Sequence, residues 1–336
     1  METLKLKDDK EGLEKAAELL KKGGVVAIPT ETVYGLAANA FDEMAVGKIF
    51  TAKGRPQDNP LIVHISDMEM LNLVAKNIPD LALKCAEKFW AGPFTMVLPK
   101  TDKIGDCISP NLDTVAVRIP QNKVALEIIE LCGFPLAAPS ANTSGSPSPT
   151  SPFHVEADLM GKIDAIVYSD ECDVGVESTV VSFVENPPRL LRPGGITAEQ
   201  LKEIIPDIVI DKAVLAEPEK GKQVASPGMK YKHYAPKTES FLVVGESKAF
   251  SKFVNGEQNC VALCFKDEEA DIEIPTLCYG DGEDETTLAH SVFSALREVD
   301  KMNAERVYIH APSKTGIGLA VYNRLLRACG FKVIDL

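Results

Sequence analysis

A lysine-rich segment divides the sequence into two parts and so limits the folds that the chain can adopt. Residues 220–238, KGKQVASPGMKYKHYAPKT, contain five lysines and no acidic residue. The formal net charge is +5 for this segment, −12 for residues 1–219 and −6 for residues 239–336. Its prolines and glycines disfavour a regular helix or strand. We therefore predict two α/β units, residues 1–210 and 239–336, joined by a linker at residues 211–238.

The second unit shows a regular alternation of apolar strands and amphipathic helices. The predicted strands cover residues 240–245, 260–265, 306–312 and 331–336, and the predicted helices cover residues 247–255, 286–302 and 316–329. This alternation is typical of a parallel sheet with helices on its faces. We predict a small Rossmann-like domain, although the chain has no G-x-G-x-x-G fingerprint.

The first unit mixes helices and strands less regularly. The predicted helices cover residues 9–22, 42–53, 80–90 and 122–132, and the predicted strands cover residues 25–29, 61–65, 94–100, 115–120, 135–140, 164–169, 178–184 and 189–193. Several strands follow each other too closely for a helix to lie between them. The pattern therefore predicts a twisted, mixed sheet with flanking helices.

Composition narrows the class of protein. No stretch approaches the roughly 20 apolar residues of a membrane helix, and the charged N-terminus lacks the apolar region of a signal peptide, so we expect a cytoplasmic protein. Eight cysteines are scattered without a C-x-x-C pair, which favours reduced thiols over a zinc site. A net charge of −13 disfavours unspecific coating of nucleic acid, but it allows a small cationic pocket.

The loop KGRPQDNPLIVHI (53–65) gathers cations ahead of a short strand. A helix C-terminus attracts cations, which explains Lys53 without a ligand. Arg55 lies between a glycine and a proline, and its planar guanidinium matches a phosphate group bidentately. The loop therefore favours phosphate binding, whereas His64, within an apolar strand, is also typical of an ordinary core histidine.

Two further segments, 29–40 and 137–150, carry hydroxyl and amide groups that can hold a phosphate or a ribose without a P-loop. Each is also compatible with a polar surface turn. Arg118 and Arg192 lie in or beside apolar strands, where a buried guanidinium needs an anionic partner, either a structural carboxylate or a ligand.

Seven motifs occur in an order that resembles one family, the YrdC-type L-threonylcarbamoyl-AMP synthases in their two-domain form. The motifs are PTETVYGL (29–36), KGRPQDNPLIVHI (53–65), WAGPFTMVL (90–98), VAVRIP (115–120), APSANTSG (138–145), ESTVV (177–181) and SPGMKYKHYAP (226–236). They span the first unit and the linker. Ser182 departs from the pattern, because an aspartate is expected there.

The resemblance implies an activity and a set of substrates. L-Threonine, bicarbonate and ATP, with Mg²⁺, would give threonylcarbamoyl-AMP and pyrophosphate. A downstream threonylcarbamoyl transferase complex would use the product to modify adenosine 37 of tRNA, and weak tRNA contact could coexist. No membrane partner and no protein-bound metal are expected.

The resemblance also implies site residues. Lys53 and Arg55 would hold the triphosphate and serve as the catalytic cations. The other residues implied for ATP are Asn59, Thr114, Ala138, Ser140, Asn142, Ser148, Arg192, Tyr231 and Tyr234, and those implied for L-threonine are Thr32, His64, Arg118, Ser178 and Thr179. Either linker tyrosine would close over the nucleotide.

Two other functions fit parts of the pattern. A carbamoyl-transfer maturation factor for hydrogenases would need acylphosphatase-like and zinc-finger segments, and the chain has no C-x-x-C pair. An RNA-binding module with a cationic cleft is the alternative function, which the acidic charge disfavours.

Overall fold

The computed structural model describes residues 2–217 and 233–336, and its strands form two sheets. The larger sheet has eleven strands, all before residue 211, and the smaller has five, all after residue 238. The mixed and the parallel sheet predicted from the sequence are both confirmed.

The elements of the larger sheet and its helices follow in chain order. They are β1 Leu4–Lys7, α1 Lys10–Lys21, β2 Val26–Ile28, β3 Gly35–Asn39, α2 Glu43–Lys53, β4 Ile62–His64, α3 Met68–Val74, α4 Asp80–Phe89, β5 Phe94–Pro99, β6 Thr114–Arg118, α5 Lys123–Cys132, β7 Leu136–Ala137, α6 Pro152–Leu159, β8 Ala165–Tyr168, β9 Thr179–Ser182, β10 Arg189–Arg192, α7 Ala198–Lys202 and β11 Val209–Ile210.

The strand order is β1-β8-β2-β3-β7-β4-β6-β5-β9-β10-β11. Near its middle, β4 pairs parallel with β6 and antiparallel with β7, whereas β5 pairs antiparallel with β6 and parallel with β9. These directions bring the C-terminal ends of β4, β6 and β10 and the N-terminal ends of β5 and β9 to one edge of the sheet. Loops from distant parts of the sequence therefore meet there.

Some elements of this sheet carry no clear sequence signal. β1, with the sequence LKLK, lies at the sheet edge and is mostly exposed, so tertiary pairing with β8 alone defines it. β3, with the sequence GLAAN, lies within the segment 29–40 that the sequence offers as a ligand-binding segment or a turn, and its small residues have low strand propensity. The helices α3, α6 and α7 are short, and the periodicity over so few residues is weak.

The smaller sheet is entirely parallel. Its elements are β12 Glu239–Val244, α8 Ser247–Val254, β13 Cys260–Cys264, β14 Thr276–Cys278, α9 Glu285–Val299, β15 Arg306–His310, α10 Gly318–Ala328 and β16 Val333–Asp335. The strand order is β14-β13-β15-β12-β16. Apolar residues of α8 pack on one face, and those of α9 and α10 pack on the other. The strand absent from the prediction, β14, has only three half-buried residues.

The helices α9 and α10 also contact the first unit and the start of the linker. Arg297 of α9 forms a two-pronged ion pair with Asp158, with N–O distances of 3.1 and 2.9 Å. In α10, the Asn323 amide donates to the Val214 carbonyl at 2.6 Å. These buried polar contacts fix one arrangement of the two units. In the part of the chain that is described, no helix combines the length and the apolar character needed to cross a bilayer.

Candidate active site

A cleft of about 720 Å³, including its open mouth, lies at the sheet edge where the strand ends converge. The predicted site residues that line it are Thr32, Lys53, Arg55, His64, Arg118, Ala138, Ser140, Asn142, Ser178, Arg192 and Tyr234. Residues spread over about half of the chain therefore meet in one cavity.

Lys53 ends α2, because Gly54 takes the left-handed conformation (φ 61°) that stops a helix. Its ammonium group is buried and donates to the carbonyls of Ser140 and Asn142 and to Asn142 Oδ1, the latter two at 2.6 and 3.2 Å. Burial, and then the charge of Arg55, hold the pKa of Lys53 well below its usual range. Lys53 thus ties the loop that follows β7 to the end of α2.

Arg55 is half-buried and turns its guanidinium into the cleft. Its Nη2 donates to the Pro60 carbonyl at 3.1 Å, which fixes the side chain against its own loop. Asn59 lies in this loop but does not line the cleft. Its side-chain amide is buried and has no hydrogen-bond partner among the described residues.

Arg118 ends β6 beside His64, which ends β4. Its guanidinium is buried and makes three contacts: an ion pair with Glu31 at 2.5 Å, a hydrogen bond to Thr32 Oγ1 at 2.8 Å and one to the Gly92 carbonyl at 3.1 Å. Burial, and then the charge of Arg118, lower the pKa of His64 to about 3. The imidazole is therefore neutral at ordinary pH.

Ser178 and Arg192 form the opposite wall. Arg192 donates through Nη2 to Ser178 Oγ and through Nε to the Ser178 carbonyl, each at 3.1 Å. Ser178 Oγ also lies 2.7 Å from Thr95 Oγ1. Thr179, the next residue, points away from the cleft and donates to the Ile196 carbonyl at 2.6 Å.

Glu177 is a cleft residue that the sequence did not indicate. Its Oε1 accepts a hydrogen bond from the Ser148 hydroxyl at 2.6 Å. Ser148 itself is fully buried and does not line the cleft. Its Oε2 accepts Nε of Arg324, a residue of α10, at 2.6 Å. Since the two partners are 147 positions apart in sequence, no local pattern could have predicted the pair.

The described end of the linker reaches the cleft mouth. Tyr234 is buried, has a positive φ of 63° and packs on Phe293 of α9, with ring centres 5.2 Å apart. His233 beside it also lines the cleft, and burial, followed by the charge of Arg55, lowers its pKa to about 3. Tyr231 lies outside the described residues.

Thr114 stands apart from the other predicted site residues. It begins β6, four residues before Arg118, and it does not line the cleft. The structure therefore brings most of the predicted residues together, and it leaves Asn59, Thr114, Ser148 and Thr179 outside the lining. Thr30, Ser144 and Ser146 also line the cleft, and they lie in the two hydroxyl-bearing segments, 29–40 and 137–150, that the sequence indicated.

The chemistry of the cleft favours an anionic ligand. Four cations, Lys53, Arg55, Arg118 and Arg192, line the cleft. The carboxylate of Glu177 already accepts hydrogen bonds from Ser148 and Arg324. Within residues 2–217 and 233–336, no group of three histidine, cysteine or carboxylate side chains could hold a metal ion.

Comparisons with known proteins place both units of the chain in one family. A family model described as Telomere recombination matches residues 18–194, and one described as Threonylcarbamoyl-AMP synthase, C-terminal domain, matches residues 196–330. The threonylcarbamoyl-AMP synthase of Pyrococcus abyssi is 44% identical over 96% of this chain and 95% of its own length. That of Bacillus subtilis is 42% identical over 95% and 93%.

A solved structure supports the same assignment over both units. The crystal structure of P. abyssi Sua5 complexed with L-threonine superposes with a TM-score of 0.93 and 41% sequence identity, covering 100% of each chain. The sequence matches, the two family models and the shared fold all extend across both sheets. The chain belongs to the two-domain threonylcarbamoyl-AMP synthase family.

Proposed function

We propose that this chain is an L-threonylcarbamoyladenylate synthase, which converts L-threonine, bicarbonate and ATP to threonylcarbamoyl-AMP and pyrophosphate. The observation that carries the proposal is the convergence of Lys53, Arg55, Arg118 and Arg192 in one cleft of a chain with net charge −13. A focused cationic site in an acidic protein suits small anionic substrates. Full-length similarity to synthases of this name supports the same activity.

The reaction requires no protein nucleophile. The amine of threonine attacks the carbon of bicarbonate, and water leaves as the carbamate forms. A carbamate oxygen then attacks the α-phosphorus of ATP, and the α–β bond breaks so that pyrophosphate carries away the electron pair. Such phosphoryl chemistry depends on positioning and on neutralising charge, which the side chains of this cleft supply.

The nucleotide would lie against Arg55, Lys53 and the loop of Ser140 and Asn142. Arg55 offers a fork for phosphate oxygens, and a phosphate group near Lys53 would offset the burial that lowers its pKa. Mg²⁺ would enter with ATP and neutralise phosphate charge, since Mg²⁺ is usually bound through substrate phosphates, and no group of three metal-binding side chains occurs among the described residues. Tyr234 would cover the nucleotide from the linker side.

Threonine would bind at the end formed by Arg118, Thr32 and His64. The threonine carboxylate would approach Arg118, which Thr32 and Glu31 hold in one orientation. The neutral His64 places no positive charge beside the substrate amine. Ser178 and Arg192 would lie on the opposite side, between the amino acid and the nucleotide.

The product would feed a separate class of reaction. Threonylcarbamoyl-AMP is a mixed anhydride, so a transferase must pass its acyl group to an amine, for which adenosine 37 of tRNA is the proposed acceptor. A transferase complex in the cytoplasm is the proposed partner, and direct tRNA contact by this acidic chain would be weak.

The test is pyrophosphate release from ATP and Mg²⁺, with L-threonine and bicarbonate added singly and together. We expect release only with both, and its loss in Arg55→Ala. Release that ignores threonine would refute the synthase assignment. A folded chain that releases no pyrophosphate but binds tRNA in a salt-dependent manner would support the RNA-binding alternative.

A further inference from the structure

An ion pair between the two units reaches into the wall of the cleft. Arg324 of α10 is fully buried, and its Nε donates to Glu177 Oε2 at 2.6 Å. Its Nη1 donates to Asn323 Oδ1 at 2.8 Å, and its Nη2 donates to the Pro193 carbonyl at 3.0 Å. These three bonds hold the guanidinium in a single orientation behind Glu177.

Glu177 is a carboxylate that lines a cleft built for anions. Burial alone would raise the pKa of Glu177. The positive charges of Arg324 and Arg192, together with the hydrogen bonds from Ser148 and Arg324, outweigh this effect and hold the pKa below its usual range. The side chain therefore stays ionised. Its own charge opposes a phosphate group, unless a cation neutralises it.

Arg324 is the partner that neutralises Glu177 directly. Removal of one member of a buried ion pair leaves an uncompensated charge, which costs far more than the pair itself contributes. Without Arg324, Glu177 would present a negative charge to the cleft, and its hydrogen bond with Ser148 would be the only one left among those described here. The carboxylate would then repel an arriving triphosphate.

Docking of the two units does not depend on Arg324 alone. Arg327 of the same helix donates to the Ala213 carbonyl at 2.8 Å, and Arg297 of α9 pairs with Asp158. The amide of Asn323 bonds to the Val214 carbonyl. Arg324 differs from these contacts because its partner lines the cleft.

We propose that Arg324 is a positioning residue of the second unit that neutralises and orients Glu177. It thereby prevents the Glu177 carboxylate from repelling the triphosphate of ATP in the cleft. The inference rests on the proposed function, since it takes ATP as the anion in the cleft. Arg324 touches no substrate and acts only through Glu177. The second unit thus supplies part of the charge balance of a site whose lining belongs to the first unit and the linker end.

The experiment compares Arg324→Met with a matched control, Arg327→Met, in the full chain. Both substitutions remove an arginine of α10 that bonds to a residue outside the second unit, Glu177 for Arg324 and Ala213 of the linker for Arg327. Only Arg324→Met leaves Glu177 without its arginine partner. From pyrophosphate release, Arg324→Met should raise the KM for ATP about 10-fold, within the usual range of coupling between two sites. The KM for L-threonine should change much less, and Arg327→Met should leave both constants near those of the unsubstituted chain.

A second pair of variants separates charge from packing. Arg324 also lies 5.6 Å from the ring centre of Tyr234, so its loss could act through the linker end. If charge is the cause, Glu177→Gln combined with Arg324→Met should recover the KM for ATP to within about 3-fold, since the two substitutions share one interaction. Arg324→Lys should show a smaller rise than Arg324→Met, because it keeps the positive charge.

The outcomes separate the two proposals. An inactive unsubstituted chain would overturn the proposed function, whereas an active chain whose KM for ATP is unchanged in Arg324→Met would overturn only this inference. Equal effects of Arg324→Met and Arg327→Met would show that Arg324 merely docks the units. If Arg324→Met does not fold, the KM for ATP is measured in the double variant, Glu177→Gln with Arg324→Met. A KM for ATP well above that of the unsubstituted chain in the double variant would overturn the role of charge.

Discussion

Gly175 is the position where a single methyl group should disturb the contact between the two units most clearly. It lies in the loop between β8 and β9 with a φ of +77°, against the backbone of α9. A Cβ atom at this position would lie 2.4 Å from both the Ala289 carbonyl oxygen and His290 Cα. Because these atoms belong to a helix backbone, no side-chain rotation can relieve the clash.

The magnitude for Gly175→Ala has two parts. A left-handed conformation costs a residue with a Cβ roughly 1–2 kcal/mol. Overpacking against a rigid neighbour adds typically about 1–3 kcal/mol. Gly133, the residue that ends α5, has a φ of +74° and open space around its Cβ position, so Gly133→Ala carries the first cost alone.

The assay is urea-induced unfolding of both variants, followed by far-ultraviolet circular dichroism and by the fluorescence of Trp90, the single tryptophan. Gly175→Ala should lose about 1–3 kcal/mol more than Gly133→Ala, which is the overpacking cost. It should also lower pyrophosphate release, since Val176 and Glu177 follow directly. Equal destabilisation by the two variants would refute the reasoning, because it would mean that the loop can move away from α9 without cost.

Three further predictions follow from the buried polar groups. Burial lowers the pKa of His64, His154 and His233 from 6.5 to about 3, 4 and 3, so below pH 6.5 the unfolded chain binds protons that the folded chain does not. The free energy of unfolding should therefore fall by up to about 1.4 kcal/mol per pH unit for each histidine, and urea titrations at pH 7, 6 and 5 that show no fall would contradict this. Thr32→Val should raise the KM for L-threonine about 10-fold, because the guanidinium beside it loses a hydrogen bond of about 1.5–3 kcal/mol; an unchanged KM would exclude this orienting role. Lys53→Met should destabilise the fold by about 2–4 kcal/mol through unsatisfied carbonyls, and a melting temperature equal to that of the unsubstituted chain would show that water replaces the ammonium group.

Regular helices and strands are the part of the fold that the sequence predicts best. The strands around residues 61–65 and 115–120 and the helix around residues 42–53 follow from patterns within a single element, and each occurs within one or two residues of its predicted bounds. Ordered motifs also identified most of the cleft lining, because those residues lie in the strand ends and loops of recognisable segments.

The α/β class, the two-part organisation and the motifs that carry the cationic residues could be predicted from the sequence, because periodicity, charge and turn chemistry are local properties. How those residues are used depends on the tertiary structure. It commits the ammonium of Lys53 to the loop carbonyls, pairs Arg118 with Glu31, removes Thr114 from the cleft and joins Glu177 to Arg324. The physical reason is that a buried charge takes whichever partner the packing brings within about 3 Å, and the packing joins segments that no local pattern connects.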